Sequence, residues 1–390
     1  MFINLKSYVI IISGVIIKYS HDLGDSMKQS RVIILTGVVI GLSGAFLMAL
    51  GNPANMGLCL ACFWRDVAGG LGLHRAGVVQ NIRLEIVGFI IGAFVIANLV
   101  KGEYKVQSGS SPFTRFFLGA TMMIGALVFL GCPWRMVLRL SGGDWTAISG
   151  LFGFIAGVYL ATEFLKKGFS LGRASTERDT KGYLFPIIAV GLLLLRLINP
   201  EFIFLSETGP GSQFAPLWIT LVIGLIIGVL AQRSRICSAG AIRDIILVRD
   251  FDLFKGMLAI IVVATGANIA LGQFTPGFTG QAVAHTDYLW NFLGMFIVGI
   301  AAIMLGGCPL RQTILAGEGN IDSVISVFGM VFGAAISHNF GLAGSPNGVG
   351  FNGRAATIGL IIALFVLAWV NITQNNQEIA TRRREASSNV

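Results

Sequence analysis

Two copies of a Gly-Cys-Pro-x-Arg motif are the most chemically distinctive feature of this chain. GCPWR contains Cys132 and Arg135, and GCPLR, 176 residues later, contains Cys308 and Arg311. Proline is favoured at the first position of a helix, so each motif predicts a cysteine at the N-cap of a short helix. Helix N-termini carry unpaired N–H groups and partial positive charge, to which the nearby arginine adds. Each motif therefore predicts a helix N-terminus that attracts anions and carries a cysteine thiol.

A second repeated cysteine supports a functional interpretation of these thiols. Cys59 in CLACFWRD and Cys237 in CSAGAIRD are followed at the same distance by Arg-Asp, and they lie 178 residues apart. A lone cysteine in a membrane helix is usually a small packing residue, but four cysteines that recur in register favour a shared role. Soft thiols suit a sulfur or selenium species or a thiophilic metal. Because the surroundings are positive, we expect an anion that contains sulfur or selenium.

Cys62 is the fifth cysteine, and its role is less constrained. Gly240 stands at its position in the second half, so packing and function are equally compatible with it. The Cys59-x-x-Cys62 spacing resembles a redox or metal pair. No second CxxC and no clustered histidine completes a tetrahedral site, so we predict neither a metal nor a cofactor. His285 and His338 could bind a ligand or sense protons, but capping or loop contacts are the favoured interpretation.

Charged residues within apolar sequence are usually paired. We therefore expect the arginine of each Arg-Asp dipeptide, Arg65-Asp66 and Arg243-Asp244, to be held by its neighbour or by carbonyl groups. Structural roles near the membrane interface are expected for His74, Arg83 and Glu85.

Composition identifies the kind of protein that must position these residues. The 390 residues are 54% hydrophobic and 12% charged, with a mean hydropathy of +0.78. Soluble domains are typically about 25% charged, so the sequence predicts an all-α, polytopic integral membrane protein. The net charge of +9 does not indicate nucleic-acid binding, because the basic residues lie between apolar runs.

Apolar windows predict about ten transmembrane helices. They lie near residues 32–50, 84–100, 114–131, 146–164, 183–198, 216–232, 255–273, 289–306, 322–338 and 356–373. Four further apolar segments are too short, glycine-rich or charged to cross, and we interpret them as re-entrant half-helices. These segments are Asn55–Leu73, Cys132–Leu140, Cys237–Leu247 and Cys308–Ala316.

The distribution of basic residues predicts the orientation. Basic residues on one side are Lys28, Arg31, Lys101, Lys105, Arg115, those of the loop Lys166–Lys181, Arg249, Lys255 and Arg382–Arg384. Loops 199–215 and 274–288 on the other side contain no Lys or Arg, so the basic side and both termini should be cytoplasmic in the cell membrane. Tyr8–Ile17 is too short to span and has no clear cleavage site, so we expect an interfacial segment rather than a signal peptide.

The repeated motifs divide the chain into two related halves. We predict an N-terminal segment (1–31), a first transmembrane repeat (32–165), a basic cytoplasmic loop with a linking span (166–215), a second repeat (216–338), a final span (339–373) and a cytoplasmic tail (374–390). Equivalent spans are five apart, an odd number, so the repeats should be inverted, as in many transporters. Cys59, Cys62 and Cys132 would then approach the pore from outside, and Cys237 and Cys308 from the cytoplasm. Five GxxxG pairs are expected to be helix-packing surfaces.

Longer stretches resemble a known family over about Gly51–Gly350. RSRICSAGAIRD and LGGCPLRQTILAGEGNIDS resemble the YeeE/YedE sulfur-transport family. GNPANMGLCLACFWRDVAGGLGLHR, GCPWRMVLRLSGGD and FLKKGFSLGRA resemble its YedE-related selenium-metabolism membrane proteins. The resemblance implies a pseudo-symmetric, hourglass-like membrane protein in which pore cysteines relay thiosulfate through weak S–H···S contacts. It assigns that role to Cys132, Cys308, Cys237 and Cys59. The Pro and Arg that follow each Gly-Cys are typical of the selenium-linked branch.

The leading hypothesis is therefore a transporter, not an enzyme, for a thiosulfate-like or selenium-containing anion. Its expected partners are this small anion, the bilayer and a cytosolic sulfur or selenium acceptor protein. A second hypothesis is a membrane thiol redox enzyme or a persulfide or selenium carrier that uses Cys59 and Cys62. A third, a soft-metal channel, is disfavoured by the nearby arginines.

Overall fold

A computed structural model describes residues 5–100, 103–104, 106–109 and 111–388, with side chains described for 27–377 and 381 within those ranges. These residues form fifteen helices and one two-stranded sheet. The helices are α1 (Leu5–Ala49), α2 (Leu60–Gly70), α3 (Leu84–Leu99), α4 (Pro112–Val128), α5 (Pro133–Ser141), α6 (Ala147–Lys166), α7 (Asp179–Gly182), α8 (Leu184–Ile198), α9 (Leu217–Ser234), α10 (Ser238–Val248), α11 (Asp252–Ala270), α12 (Tyr288–Leu305), α13 (Pro309–Gly317), α14 (Ile321–Asn339) and α15 (Phe351–Ser388). The antiparallel strands are β1 (Gln107–Ser108) and β2 (Ser175–Thr176).

The all-α, polytopic membrane fold is confirmed. Within the described residues, nine helices are long and apolar enough to cross a membrane, and α3 is a shorter apolar helix of 16 residues. Together they cover the ten predicted spans, and α2, α5, α10 and α13 cover the four predicted half-helices. Helix α1 includes both the first predicted span and Tyr8–Ile17. The side chains of Tyr8–Ile17 and Arg382–Arg384, and the whole of Lys101 and Lys105, lie outside the described part.

A left-handed residue ends each long helix that precedes a Gly-Cys-Pro motif. Gly306 follows α12 with φ +82°, a conformation that glycine adopts without steric cost. Leu130 occupies the corresponding position after α4 with φ +63°. A branched side chain rarely adopts this conformation, so the surrounding packing must hold Leu130 in place. The chain thereby reverses direction within two residues of Cys132 and Cys308.

Glycine seams between helices repeat in the two halves. A Cβ built on Gly153 of α6 would lie 2.0 Å from the carbonyl oxygen of Phe292 in α12. A Cβ on Gly329 of α14 would lie 2.2 Å from the carbonyl oxygen of Phe116 in α4. Both members of the second pair lie 176 residues from those of the first, so the packing α6–α12 is repeated as α14–α4. The five GxxxG pairs are thus confirmed as helix-packing surfaces, since a side chain at any of them would meet a neighbouring helix.

The repeat-related helices α4 and α12 run in opposite directions where they touch. A Cβ on Gly125 would approach Ile297, whereas a Cβ on Gly294 would approach Val128. Moving forward along α4 therefore corresponds to moving backward along α12. The contact between α3 and α9 is likewise repeated as the contact between α11 and α1.

Candidate functional site

All four half-helices begin immediately after a cysteine. Cys132 and Cys308 are the N-caps of α5 and α13, with proline as the first helical residue, as the motif predicts. Cys59 and Cys237 are the N-caps of α2 and α10, where no proline marks the position. The sequence had placed Cys59 only within a longer segment, whereas the predicted segment of the second half began at Cys237. Four thiols thus lie at the positive ends of four half-helices.

The first-half thiols form one group. The backbone N–H of Cys62 donates to Sγ of Cys59 at 3.2 Å. The thiols of Cys59 and Cys132 are in hydrogen-bonding contact, although they cap different half-helices. All three residues have no exposed surface. We call Cys59, Cys62 and Cys132 the outer thiol group, after the predicted orientation.

The second-half thiols form a matching pair. Backbone N–H groups of Cys308 and Gly240 each donate to Sγ of Cys237, both at 3.4 Å. The pair Cys237–Cys308 therefore repeats the pair Cys59–Cys132. We call Cys237 and Cys308 the inner thiol group. Cys237 is 6% exposed, whereas Cys308 is fully buried.

Tryptophans connect the two groups, a feature that the sequence did not suggest. Nε1–H of Trp134, two residues after Cys132, donates to Sγ of Cys308 at 3.3 Å. Nε1–H of Trp64 in α2 donates to Oγ1 of Thr313 in α13 at 3.0 Å. The half-helices of the two repeats therefore meet directly. Lone indole N–H groups between spans gave no signal that could have revealed these partners.

A small void lies among apolar side chains that neighbour the thiols in sequence. Its volume is about 10 Å³, at the lower limit for a single water molecule. It is lined by Ile40, Leu58, Leu60, Phe89, Trp134, Ile227 and Leu310. Leu58 and Leu60 flank Cys59 in the chain, and Leu310 lies two residues after Cys308.

The two motif arginines have different partners. Arg135 is fully buried and donates to the carbonyl oxygens of Asn55 (2.6 Å), Val283 (3.0 Å) and Leu130, and to Sγ of Cys62 at 3.4 Å. Its partners come from three separate loops, so Arg135 ties the outer side of the site together.

Arg311 instead pairs with an acid that lies seven residues away. Its Nη1 contacts Oε1 of Glu318 at 3.1 Å, and both side chains are partly exposed. Burial raises the pKa of the Glu318 carboxyl, and the charge of Arg311 acts in the opposite direction. Arg311 also lines a cavity of about 340 Å³ together with Cys237, Arg235 and Arg243. We call this the inner cavity.

The Arg-Asp dipeptides form ion pairs, as expected. Asp66 Oδ1 binds Arg65 Nη2 at 2.7 Å, and its Oδ2 binds Nε of Arg83 at 2.8 Å. Arg243 pairs with Asp244 at 2.7 Å. Arg83, Glu85 and His74 make structural contacts. They are buried, because Arg83 closes the Asp66 network, Glu85 accepts from Asn52 (3.0 Å) and His74 contacts the carbonyl oxygen of Arg65 (3.0 Å).

The remaining predicted candidates make local contacts or none. Nε2 of His285 lies 2.8 Å from the carbonyl oxygen of Val128, which is a loop contact of the expected kind. The ring of His338 packs at a tilt against that of His74, with ring centroids 4.7 Å apart. All five cysteines are free thiols. Among the described residues, no group of three or more His, Cys, Asp or Glu side chains could hold a metal ion.

The fold and the site define a polytopic α-helical membrane protein whose broken helices meet at buried thiols. A family model described as "Sulphur transport" matches residues 233–385. The thiosulfate transporter TsuA of Spirochaeta thermophila is 31% identical over 103 residues, which are 26% of this chain and 31% of that protein. The thiosulfate transporter TsuA of Escherichia coli (strain K12) is 29% identical over 140 residues, 36% of this chain and 38% of that protein. The matches thus span about a third of the length of each relative. These similarities support the resemblance to the YeeE/YedE sulfur-transport family.

Proposed function

We propose that this protein transports a thiosulfate-like sulfur anion, or a selenium-containing anion of similar chemistry, across the cell membrane. One observation carries the proposal. Four half-helices each begin at a cysteine, and the four buried thiols form two repeat-related pairs. Two curated relatives are named as thiosulfate transporters, which supports the same substrate class.

In the proposed relay, the anion accepts weak S–H hydrogen bonds from successive thiols. Cys59 and Cys132 would receive it from outside, and Cys308 and Cys237 would pass it inward. Each half-helix N-terminus adds roughly 0.3–2 kcal/mol of favourable interaction with an anion. Cys62 and Arg135 would complete the outer step, and Arg311 the inner one. Because each contact is weak, the anion can leave one station for the next.

We further propose that the halves are inverted repeats with both termini in the cytoplasm. The opposite directions of α4 and α12 support the inversion, because these helices precede the two copies of the same motif. The basic loop between α6 and α8 supports the orientation. A reporter fused to the C-terminal tail tests it, and activity of a periplasmic reporter there would reverse the assignment.

A selenium substrate and a cytosolic acceptor protein extend this proposal. The Pro and Arg after each Gly-Cys support the selenium-linked branch through the resemblance described above. The inner cavity, with three arginines beside Cys237, could present the anion to an acceptor. Competition of thiosulfate uptake by selenium-containing anions tests the substrate range, and absence of competition would restrict it to sulfur.

Uptake into proteoliposomes tests the central proposal. The full-length protein should accumulate labelled thiosulfate, and Cys132→Ala and Cys308→Ala should each abolish accumulation because each removes one station. Thr162→Ala is a matched control, since the Thr162 hydroxyl donates only to a carbonyl within its own helix. Uptake that persists in both cysteine variants would contradict the thiol relay.

The same vesicles distinguish the redox alternative. A transporter accumulates label while its titratable thiols remain constant. An enzyme or carrier that cycles Cys59 and Cys62 would lose thiols in the presence of substrate and accumulate nothing. That second outcome would replace transport by thiol chemistry as the function.

A further inference from the structure

A second cavity lies on the outer side of the protein, separate from the thiols. Its volume is about 420 Å³. Its walls are mostly apolar, including Val78, Leu127 and Pro346. Of the described residues that line it, Arg65 alone carries a charge, and it approaches from the same half-helix as Cys62. We call this the outer cavity.

The guanidinium of Arg65 is held in place, but one of its nitrogens makes no hydrogen bond to the described residues. Its Nε and Nη2 both bind Oδ1 of Asp66, at 2.9 and 2.7 Å. Nη2 also lies 4.0 Å from the sulfur of Met56. Nη1 has no hydrogen-bond partner among the described residues. Asp66 is itself fixed by Arg83, so the guanidinium is oriented in advance while one end remains available to a ligand.

A histidine that lines the same cavity has a buried nitrogen without a partner. His338 lines the cavity, and its Nε2 is inaccessible and unpaired within the described structure. The neighbouring ring of His74 cannot satisfy it, since the nitrogens of His74 contact the carbonyl of Arg65 and the N–H of Ala76. An unpaired buried polar atom is costly. Arg65 and His338, each with an unused hydrogen-bonding nitrogen, therefore line one cavity.

The cavity chemistry selects among anions. Apolar walls penalise any charge that must lose water. Thiosulfate and sulfate carry the same charge, so hydration distinguishes them: a large, polarisable anion with a poorly hydrated sulfur or selenium end loses less on entering the cavity than sulfate does. The repeat supplies a parallel, because Arg243, which corresponds to Arg65, lines the inner cavity.

We propose that the outer cavity is a binding site for the transported anion, held by Arg65 and His338 before it reaches the thiols. This inference rests on the proposed function and adds a selective station to it. Asp66 and Arg83 are positioning residues for Arg65. The site admits soft sulfur or selenium anions and excludes sulfate.

Binding and uptake measured on the same variants test this site. Calorimetry on the purified protein should give weaker thiosulfate binding in His338→Leu by about fivefold, and His338→Gln, which retains a hydrogen-bonding end, should recover most of it. Uptake by His338→Leu should show a KM raised by a similar factor and an unchanged maximal rate, since the thiols remain intact. Arg65→Gln should weaken binding further.

Arg75→Gln is the matched control, because it removes a positive charge that lies on the ring of Phe204 rather than in the cavity. Unchanged binding and KM in His338→Leu, or an equal loss in Arg75→Gln, would overturn the site. Tight sulfate binding by the wild type would overturn its selectivity. If Arg65→Gln does not fold, the two His338 variants alone test the site. If the wild-type protein transports no thiosulfate, the proposed function is contradicted, and calorimetry still shows whether the outer cavity binds the anion.

Discussion

The outer and inner thiol groups occupy corresponding places in two repeats, yet their surroundings differ. The outer group is fully buried, and Arg135 fastens three loops over it. The inner group reaches a cavity through Cys237, and Arg311 is held there only by Glu318. Two sites built from the same motif thus have different access to solvent.

The two copies of the motif differ in the partner of their arginine. The arginine after Gly-Cys-Pro binds backbone carbonyls in the buried outer group and a carboxylate in the inner group. The outer group also has Cys62, whereas the inner group has Gly240 at that position. In the proposed orientation, the outer thiols are enclosed and the inner thiols are accessible, as alternating access would require at one stage of the proposed transport cycle.

Removal of the two arginines should have very unequal effects. Arg135→Ala leaves three carbonyl oxygens unpaired, each costing about 1–3 kcal/mol, so we expect destabilisation of at least about 3 kcal/mol. Arg311→Ala breaks a partly exposed ion pair, which contributes about 1 kcal/mol or less. Thermal unfolding of the purified variants measures both. Equal losses would show that Arg135 does not fasten the outer side.

The glycine seams should be equally sensitive in both halves. Gly153→Ala and Gly329→Ala each place a methyl group against a backbone oxygen, so each should cost about 1–3 kcal/mol. Gly191→Ala in α8 is the control, because a Cβ there would have no neighbour within 4 Å. Similar losses in unfolding temperature would show that the two repeats differ only around their thiol groups. A loss in only one repeat would show that their helix packing differs as well.

Thiol labelling should separate the groups. In single-cysteine variants, Cys237 should react with a water-soluble maleimide at least about tenfold faster than Cys132, because reaction of a buried thiol requires local opening. Mass spectrometry of timed samples from opened membranes gives the rates. Equal rates would mean that the enclosure of the outer group is not maintained in the membrane.

Glu318 should give the inner cavity a modest pH dependence. Glu318 faces Arg311, Arg235 and Glu103, and burial raises its pKa. As the pH falls through the raised pKa of Glu318, the carboxylate gains a proton and releases Arg311, so thiosulfate binding should strengthen.

The variant Glu318→Gln isolates this effect. It should bind up to about fivefold more tightly than the wild type and lose the part of the pH dependence that Glu318 causes. Glu163→Gln, which removes an exposed acid paired with Lys166, serves as the control. Calorimetry that finds the same pH dependence in Glu318→Gln and the wild type would rule out competition by Glu318.

The sequence predicted those features that depend on local signals. Gly-Cys-Pro predicted the N-caps at Cys132 and Cys308 because proline and glycine constrain neighbouring backbone. Adjacent Arg and Asp predicted the pairs at Arg65 and Arg243, since charges in apolar surroundings need partners.

Features that depend on tertiary packing could not be predicted. Cys59 caps a half-helix without a neighbouring proline, and the contact between Trp134 and Cys308 joins residues 174 positions apart. The pairing of Arg311 with Glu318, seven residues on, spans the end of a helix. No local pattern identified His338 as an unpaired group on a cavity, because that depends on what surrounds it.

Locating a bound selenium-containing anion by its anomalous scattering would test the central claim most directly. The account predicts a selenium peak within van der Waals contact, about 4 Å, of Sγ of Cys132 or Cys308. A peak elsewhere, under conditions in which the same protein transports that anion, would contradict the claim that these thiols carry it.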